Sequence, residues 1–116
     1  MPTGPTTGVL DPAAIGGLKE LVGDDPEVLA EIVDAFLDEG PQRVAELKDD
    51  DPIVVGRAAH TLKSNAATFG ATSLEALTRT LEAQARAEDL AHAGPLVTEI
   101  TAEWERVAAA LRELRG

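Results

Sequence analysis

The chain has 116 residues, is 44% hydrophobic, carries a formal net charge of −11 and contains no cysteine. That is enough chain for one domain with a real core, and it excludes disulfide scaffolds, thiolate metal sites and a cysteine nucleophile. The acidity argues against nucleic acid as a partner, because affinity there comes largely from Lys and Arg neutralising phosphates.

Residues 1–8, rich in Pro, Thr and Gly, read as a flexible tail, and 9–116 as one domain. The tail has neither the basic region nor the apolar stretch of a secretion signal. No apolar run approaches the roughly 20 residues of a membrane span. A cytoplasmic protein without a membrane partner is therefore expected. The aromatic residues are Phe36, Phe69 and Trp104, so the core must be built from Leu, Val, Ile and Ala, which suits helices better than sheets.

Three Asp-Pro pairs, Asp11-Pro12, Asp25-Pro26 and Asp51-Pro52, each read as an N-cap followed by proline at the first helical position. The Asp side chain accepts from free backbone N–H groups, and proline has none to leave unpaired there. The first segment, Pro12 to Leu21, is short, contains Gly16-Gly17 and needs docking to persist. The second starts at Pro26, with Leu29, Ile32, Val33, Phe36 and Leu37 at helical spacing and Val44 and Leu47 beyond Gly40-Pro41. A proline inside a helix removes a hydrogen bond, so one kinked helix to about Lys48 and two shorter helices both remain open. The third runs from Pro52 to about Phe69, where Gly70 is a natural stop. Thr72-Ser73-Leu74-Glu75 has capping-box spacing and opens the fourth, with Leu74, Leu77, Leu81 and Ala85 as its stripe. Ala93-Gly94-Pro95 separates it from the last helix, whose seam is Val97, Ile100, Trp104, Val107, Leu111 and Leu114. His92, just before that break, reads as a loop residue. Strand signals are absent. Short connections make successive helices antiparallel neighbours. The expected fold is all-α: an antiparallel up-and-down four-helix bundle with a short extra N-terminal helix.

The third helix carries the chemistry. At about 100° per residue, Val55, Ala58, Ala59, Leu62, Ala66 and Phe69 share the core side. His60 falls opposite, with Gly56, Arg57, Lys63, Ser64 and Ala67. Gly56, Ser64 and Ala67 are small and leave the imidazole open to a bulky partner. Lys63, three residues on, can reach a group attached to His60, and Arg57 can do so from the other side. Neutral imidazole is a nucleophile, and positive charge beside it stabilises a phosphoryl group. The sequence shows no dedicated general base, no metal cluster and no phosphate-cradling glycine loop, so this face suits receiving a phosphoryl group rather than making one from ATP.

The run His60-Thr61-Leu62-Lys63-Ser64-Asn65-Ala66-Ala67-Thr68-Phe69-Gly70-Ala71 resembles the signature of histidine-containing phosphotransfer (HPt) domains, H-x-L-K-G-S-[SA]-x-x-[LF]-G-A. His60, Leu62, Lys63, Ala66, Phe69, Gly70 and Ala71 match. Ser64 and Asn65 stand where the family usually has Gly and Ser; Ser64 stays small, and its hydroxyl can contact a phosphoryl group, while Asn65 points to the bundle edge and a neighbouring helix. The resemblance runs from Leu10 to the end. It implies that His60 is phosphorylated on Nε2, that Lys63 assists, and that Glu82 on the fourth helix can approach the histidine. A lone Glu82 would otherwise read as a solvated charge.

The resemblance further implies a phosphoryl carrier without catalytic turnover of its own. It takes the group from a receiver-domain aspartate and passes it to another receiver in a two-component phosphorelay. The implied partners are response-regulator receiver domains and a hybrid sensor histidine kinase. Mg²⁺ belongs to the receiver, and no cofactor or metal is expected on this chain. The alternatives are a phosphorylation-independent helical adaptor, marked by loss of His60 or Lys63, and an enzyme using His60 as acid or base, which needs convergent polar groups in a cleft. A monomer is expected. A chain opening at Met1 and ending soon after the last helix favours a free-standing module.

Receivers in the family dock on the second and third helices. Val28, Leu29, Ile32, Val33, Ala35, Phe36 and Leu37 span about 200° of the second, more than the roughly 100° a core stripe needs. Either the whole arc is buried between two neighbours, or Val28 and Ala35 stay exposed beside the His60 face and form a docking patch with Gly56 and Ala67.

Overall fold

In the computed structural model, residues 9–116 are described, and the tail expected over 1–8 lies outside them. The elements are α1 (Pro12–Leu21), α2 (Pro26–Glu46), α3 (Pro52–Phe69), α4 (Thr72–Arg86) and α5 (Gly94–Arg115), and the described residues contain no strand. All three Asp-Pro pairs cap as the sequence implies. The carboxylates of Asp11, Asp25 and Asp51 accept from the N–H groups of Ala13, Glu27 and Ile53 at 3.0, 2.9 and 2.9 Å.

The helices α2 to α5 form the expected antiparallel bundle, each packing on its predecessor and α5 closing against α2. The short α1 docks at the end of α3, where Asp11 N–H donates to Gly70 C=O at 2.9 Å, and Leu18 is its one buried side chain. The core side of α3 is the set the periodicity assigns: Val55, Ala58, Ala59, Leu62, Ala66 and Phe69 are its buried residues. Phe36 meets Phe69 edge-on at 5.4 Å between centroids and stacks on Trp104 at 6.1 Å, tying α2, α3 and α5 together.

Of the two outcomes at Gly40-Pro41, α2 takes continuity. Pro41 is exposed, so its ring meets solvent rather than the core. Gly40 is buried against the Trp104 indole, where any Cβ would overlap the ring. The glycine thus lets α2 and α5 approach closely.

At the α3–α4 corner, Gly70 adopts φ 68°. Ala71 N–H donates to Ala66 C=O at 2.8 Å and Gly70 N–H to Ala67 C=O at 3.2 Å, a Schellman closure. The capping box expected at Thr72 does not form. Thr72 is already helical, Ala71 is the N-cap without a side-chain bond, and Glu75 pairs instead with Arg79 at 3.0 Å. The turn that ends α3 leads into α4 within two residues, which leaves no room for a separate cap. Asn65 reaches α2 as expected, donating to Glu39 at 3.2 Å.

Candidate functional site

His60 lies on the outward face of α3, and its side chain is 58% exposed. The residues expected around it are placed as the wheel assigns: Arg57, Ser64 and Ala67 are exposed and Gly56 is half-buried. Glu82 departs from its reading as a solvated charge. It is 4% exposed, set one turn after Thr78 on the side of α4 that faces α3. Its carboxylate lies 2.9 Å from His60 Nδ1, accepts from Lys63 Nζ at 2.6 Å and from Arg86 at 3.0 Å.

Burial alone would push the Glu82 carboxyl up. The hydrogen bonds from Lys63 and His60, with the charges of Lys63 and Arg86, outweigh it and hold the group below the ordinary carboxylate range. Glu82 is therefore an anion at neutral pH and can only accept. In the neutral imidazole the proton of the His60–Glu82 bond then sits on Nδ1, which leaves the lone pair on Nε2.

The wheel sets Lys63 on the solvent side, but its ammonium folds back onto Glu82 and its side chain is 24% exposed. It is part of a network of three basic groups on one buried carboxylate. Beside His60 opens a groove lined by Ile53, Gly56, Arg57 and Pro52 of α3, Ala85 and Arg86 of α4, and Arg43 of α2. Side chains on a helix lean toward its N-terminus, so the imidazole covers the turn at Gly56 rather than the turn at Ser64. Lys63, Ser64 and Ala67 accordingly do not line this groove.

Val28 and Ala35 are exposed, as the second of the two docking alternatives requires. Val28 nevertheless does not border the His60 face. Glu39 opposite Asn65 and Phe36 opposite Phe69 set α2 antiparallel to α3, with His60 level with residues near Val44. Val28 is then about 24 Å away along α2, and Ala35 about 14 Å, at 1.5 Å per residue. Periodicity orients a side chain about its axis and says nothing of that register. Ile53, exposed and two turns before His60, is the apolar group that shares its groove. Its spacing of seven was legible. Arg86, four residues after Glu82, had the same kind of signal, and Arg43 had none. His92 is an exposed loop residue.

The molecule is thus a four-helix bundle with an exposed imidazole on the outward face of α3, hydrogen-bonded to a buried carboxylate of α4. The sequence matches the Hpt domain model over residues 31–110, and the chain belongs to that family. Its fold is similar to the crystal structure of histidine-containing phosphotransfer protein B (HptB) from Pseudomonas aeruginosa PAO1. The TM-score is 0.81 at 24% identity, over 92% of this chain and 94% of that one. No curated protein matches the sequence. Among the described residues no helix is long and apolar enough to cross a membrane.

Proposed function

We propose that this chain carries a phosphoryl group on His60 Nε2 between receiver domains of a two-component phosphorelay, as a carrier without turnover of its own. The observation that supports it best is the 2.9 Å contact of a buried, ionised Glu82 with Nδ1 of an exposed imidazole. Nε2 attacks the phosphorus of a receiver's aspartyl phosphate, the P–O bond to the aspartate breaks, and the carboxylate leaves. The Nδ1 proton stays in its bond to Glu82, which balances the imidazolium formed. The reverse sequence delivers the group to a second receiver. Mg²⁺ belongs to the receiver, which would sit on the small face of Gly56 and Ala67, with Ile53 as an apolar contact and the arginines meeting its acidic pocket. A hybrid sensor kinase would supply the first such receiver.

The test is incubation with a phosphorylated receiver domain, comparing wild type and His60→Gln. Acid-labile label on the wild type and none on a folded mutant is expected. Undiminished labelling of the mutant would overturn the assignment.

A further inference from the structure

We propose that Arg43 of α2, together with Arg57, holds the phosphoryl group on His60, and that Lys63 orients Glu82 instead. This rests on phosphorylation of His60 at Nε2. Both nitrogens of the imidazole have distinct surroundings. Nδ1 faces the Glu82 carboxylate, and Nε2 is on the far side of the ring, beside a groove that His60 and Glu82 both line. The cations lining that groove are Arg43, Arg57 and Arg86. Lys63 is not among them, and its ammonium is bound to Glu82 at 2.6 Å. Arg86 is likewise bound to Glu82, at 3.0 Å.

Arg57 and Arg43 remain. Arg57 stands on α3 three residues before His60, over the turn the imidazole covers. Arg43 enters from α2 with its side chain 24% exposed and pairs with Glu46 at 3.2 Å. Its Nε is fully buried and has no acceptor, although a buried guanidinium N–H without a partner costs free energy. Turned toward the groove that Arg43 lines, this N–H would find its acceptor in an ionised phosphoryl oxygen. Asp51, Glu82 and Glu88 also line the groove, so its arginines are matched by carboxylates and the phosphoryl group is held by the arginines nearest it, not by an excess of positive charge.

The experiment labels the isolated protein with potassium phosphoramidate, removes the reagent, and follows the phosphohistidine by ³¹P resonance against pH. The variants are Arg43→Gln, Arg57→Gln and Lys63→Gln, with helical content and His60 labelling measured alongside. A unit charge about 5 Å away in near-aqueous surroundings shifts an ionisation by roughly half a pH unit. The phosphoryl titration should therefore rise by about that much or more in Arg43→Gln and Arg57→Gln, and less in Lys63→Gln. Rescue toward the wild-type value by Arg43→Lys is expected. A phosphoryl titration unmoved in a folded, labelled Arg43→Gln overturns the proposal while leaving His60 as the carrier. So does a larger shift in Lys63→Gln than in either arginine variant. Failure of every variant and of wild type to take label on His60 would instead sink the reading on which it rests.

Discussion

Replacing Glu82 by Gln keeps the shape of the side chain and removes its charge. Three donors converge on the carboxylate: His60 Nδ1, Lys63 Nζ and Arg86. A glutamine has one oxygen to offer where two are used, and its NH₂ group would face a donor. Whichever way the amide turns, either Lys63 or His60 loses its acceptor. If the NH₂ group faces His60, it donates to Nδ1 and moves the ring proton to Nε2, which removes the nucleophilic lone pair. Breaking a wholly buried pair costs about 3–5 kcal/mol, but His60 and Arg86 here are largely exposed and can turn to water. The charge that stays poorly solvated is Lys63, so a loss of roughly 1–2 kcal/mol is expected, or about 5–15 °C in Tm for a domain of this size. Phosphoryl transfer from a labelled receiver should slow by 10-fold or more, which corresponds to about 1.4 kcal/mol on the barrier. Thermal unfolding, transfer kinetics and the ¹⁵N shifts of the His60 ring check the three consequences. Wild-type transfer with the ring proton still on Nδ1 would show that the carboxylate charge is not what orients the histidine.

Glu82 also sets an acid limit. Its folded carboxyl titrates below its unfolded value, so its contribution is present above about pH 4.5 and is lost as pH falls through the folded value. The Tm gap between wild type and Glu82→Gln should narrow on acidification below pH 4.5; a constant gap down to pH 3 contradicts this. Gly40→Ala forces a methyl into the Trp104 indole and should destabilise by about 1–3 kcal/mol despite alanine's better helix propensity, measured by urea unfolding. Val28→Glu should fold and transfer like wild type, because Val28 is exposed and far along α2 from His60; lost transfer in a folded mutant would extend the docking surface to that end.

What was legible follows the range of each interaction. The caps of α1, α2 and α3 and the buried face of α3 depend on residues within one or two turns, and the sequence displays those directly. The capping box at Thr72 failed for an equally local reason, since the Gly70 turn and buried Ala71 place Thr72 inside the helix. Glu82 is different. Its burial depends on how α3 and α4 lie against each other, and nothing around residue 82 marks a buried acid. The same holds for Arg43, whose place in the groove depends on the α2–α3 register, and for Gly40, where the sequence leaves one kinked helix and two shorter ones open and the approach to Trp104 depends on how α2 and α5 pack. Thr78 is buried on α4 as well, and it satisfies its hydroxyl locally by donating to Leu74 C=O at 2.7 Å.

Gly56 separates packing from access. A glycine inside a helix costs about 0.5–1 kcal/mol relative to alanine. Close packing does not demand it here, because a Cβ at this position would meet the Ala85 methyl at 3.5 Å, an ordinary contact. Nor does backbone conformation, since Gly56 is not among the residues of positive φ. What remains is the groove. Gly56 lines it directly beneath the turn that the His60 imidazole overhangs, so a methyl there narrows the space a phosphoryl group and an approaching aspartate must share. Gly56→Ala should therefore stabilise the domain by up to about 1 kcal/mol while slowing transfer from a receiver. Urea unfolding and transfer kinetics on the same preparation give both signs. A destabilised mutant would return Gly56 to a packing role, and a stabilised mutant that transfers at the wild-type rate would show that the groove beside His60 is wider than the reaction needs.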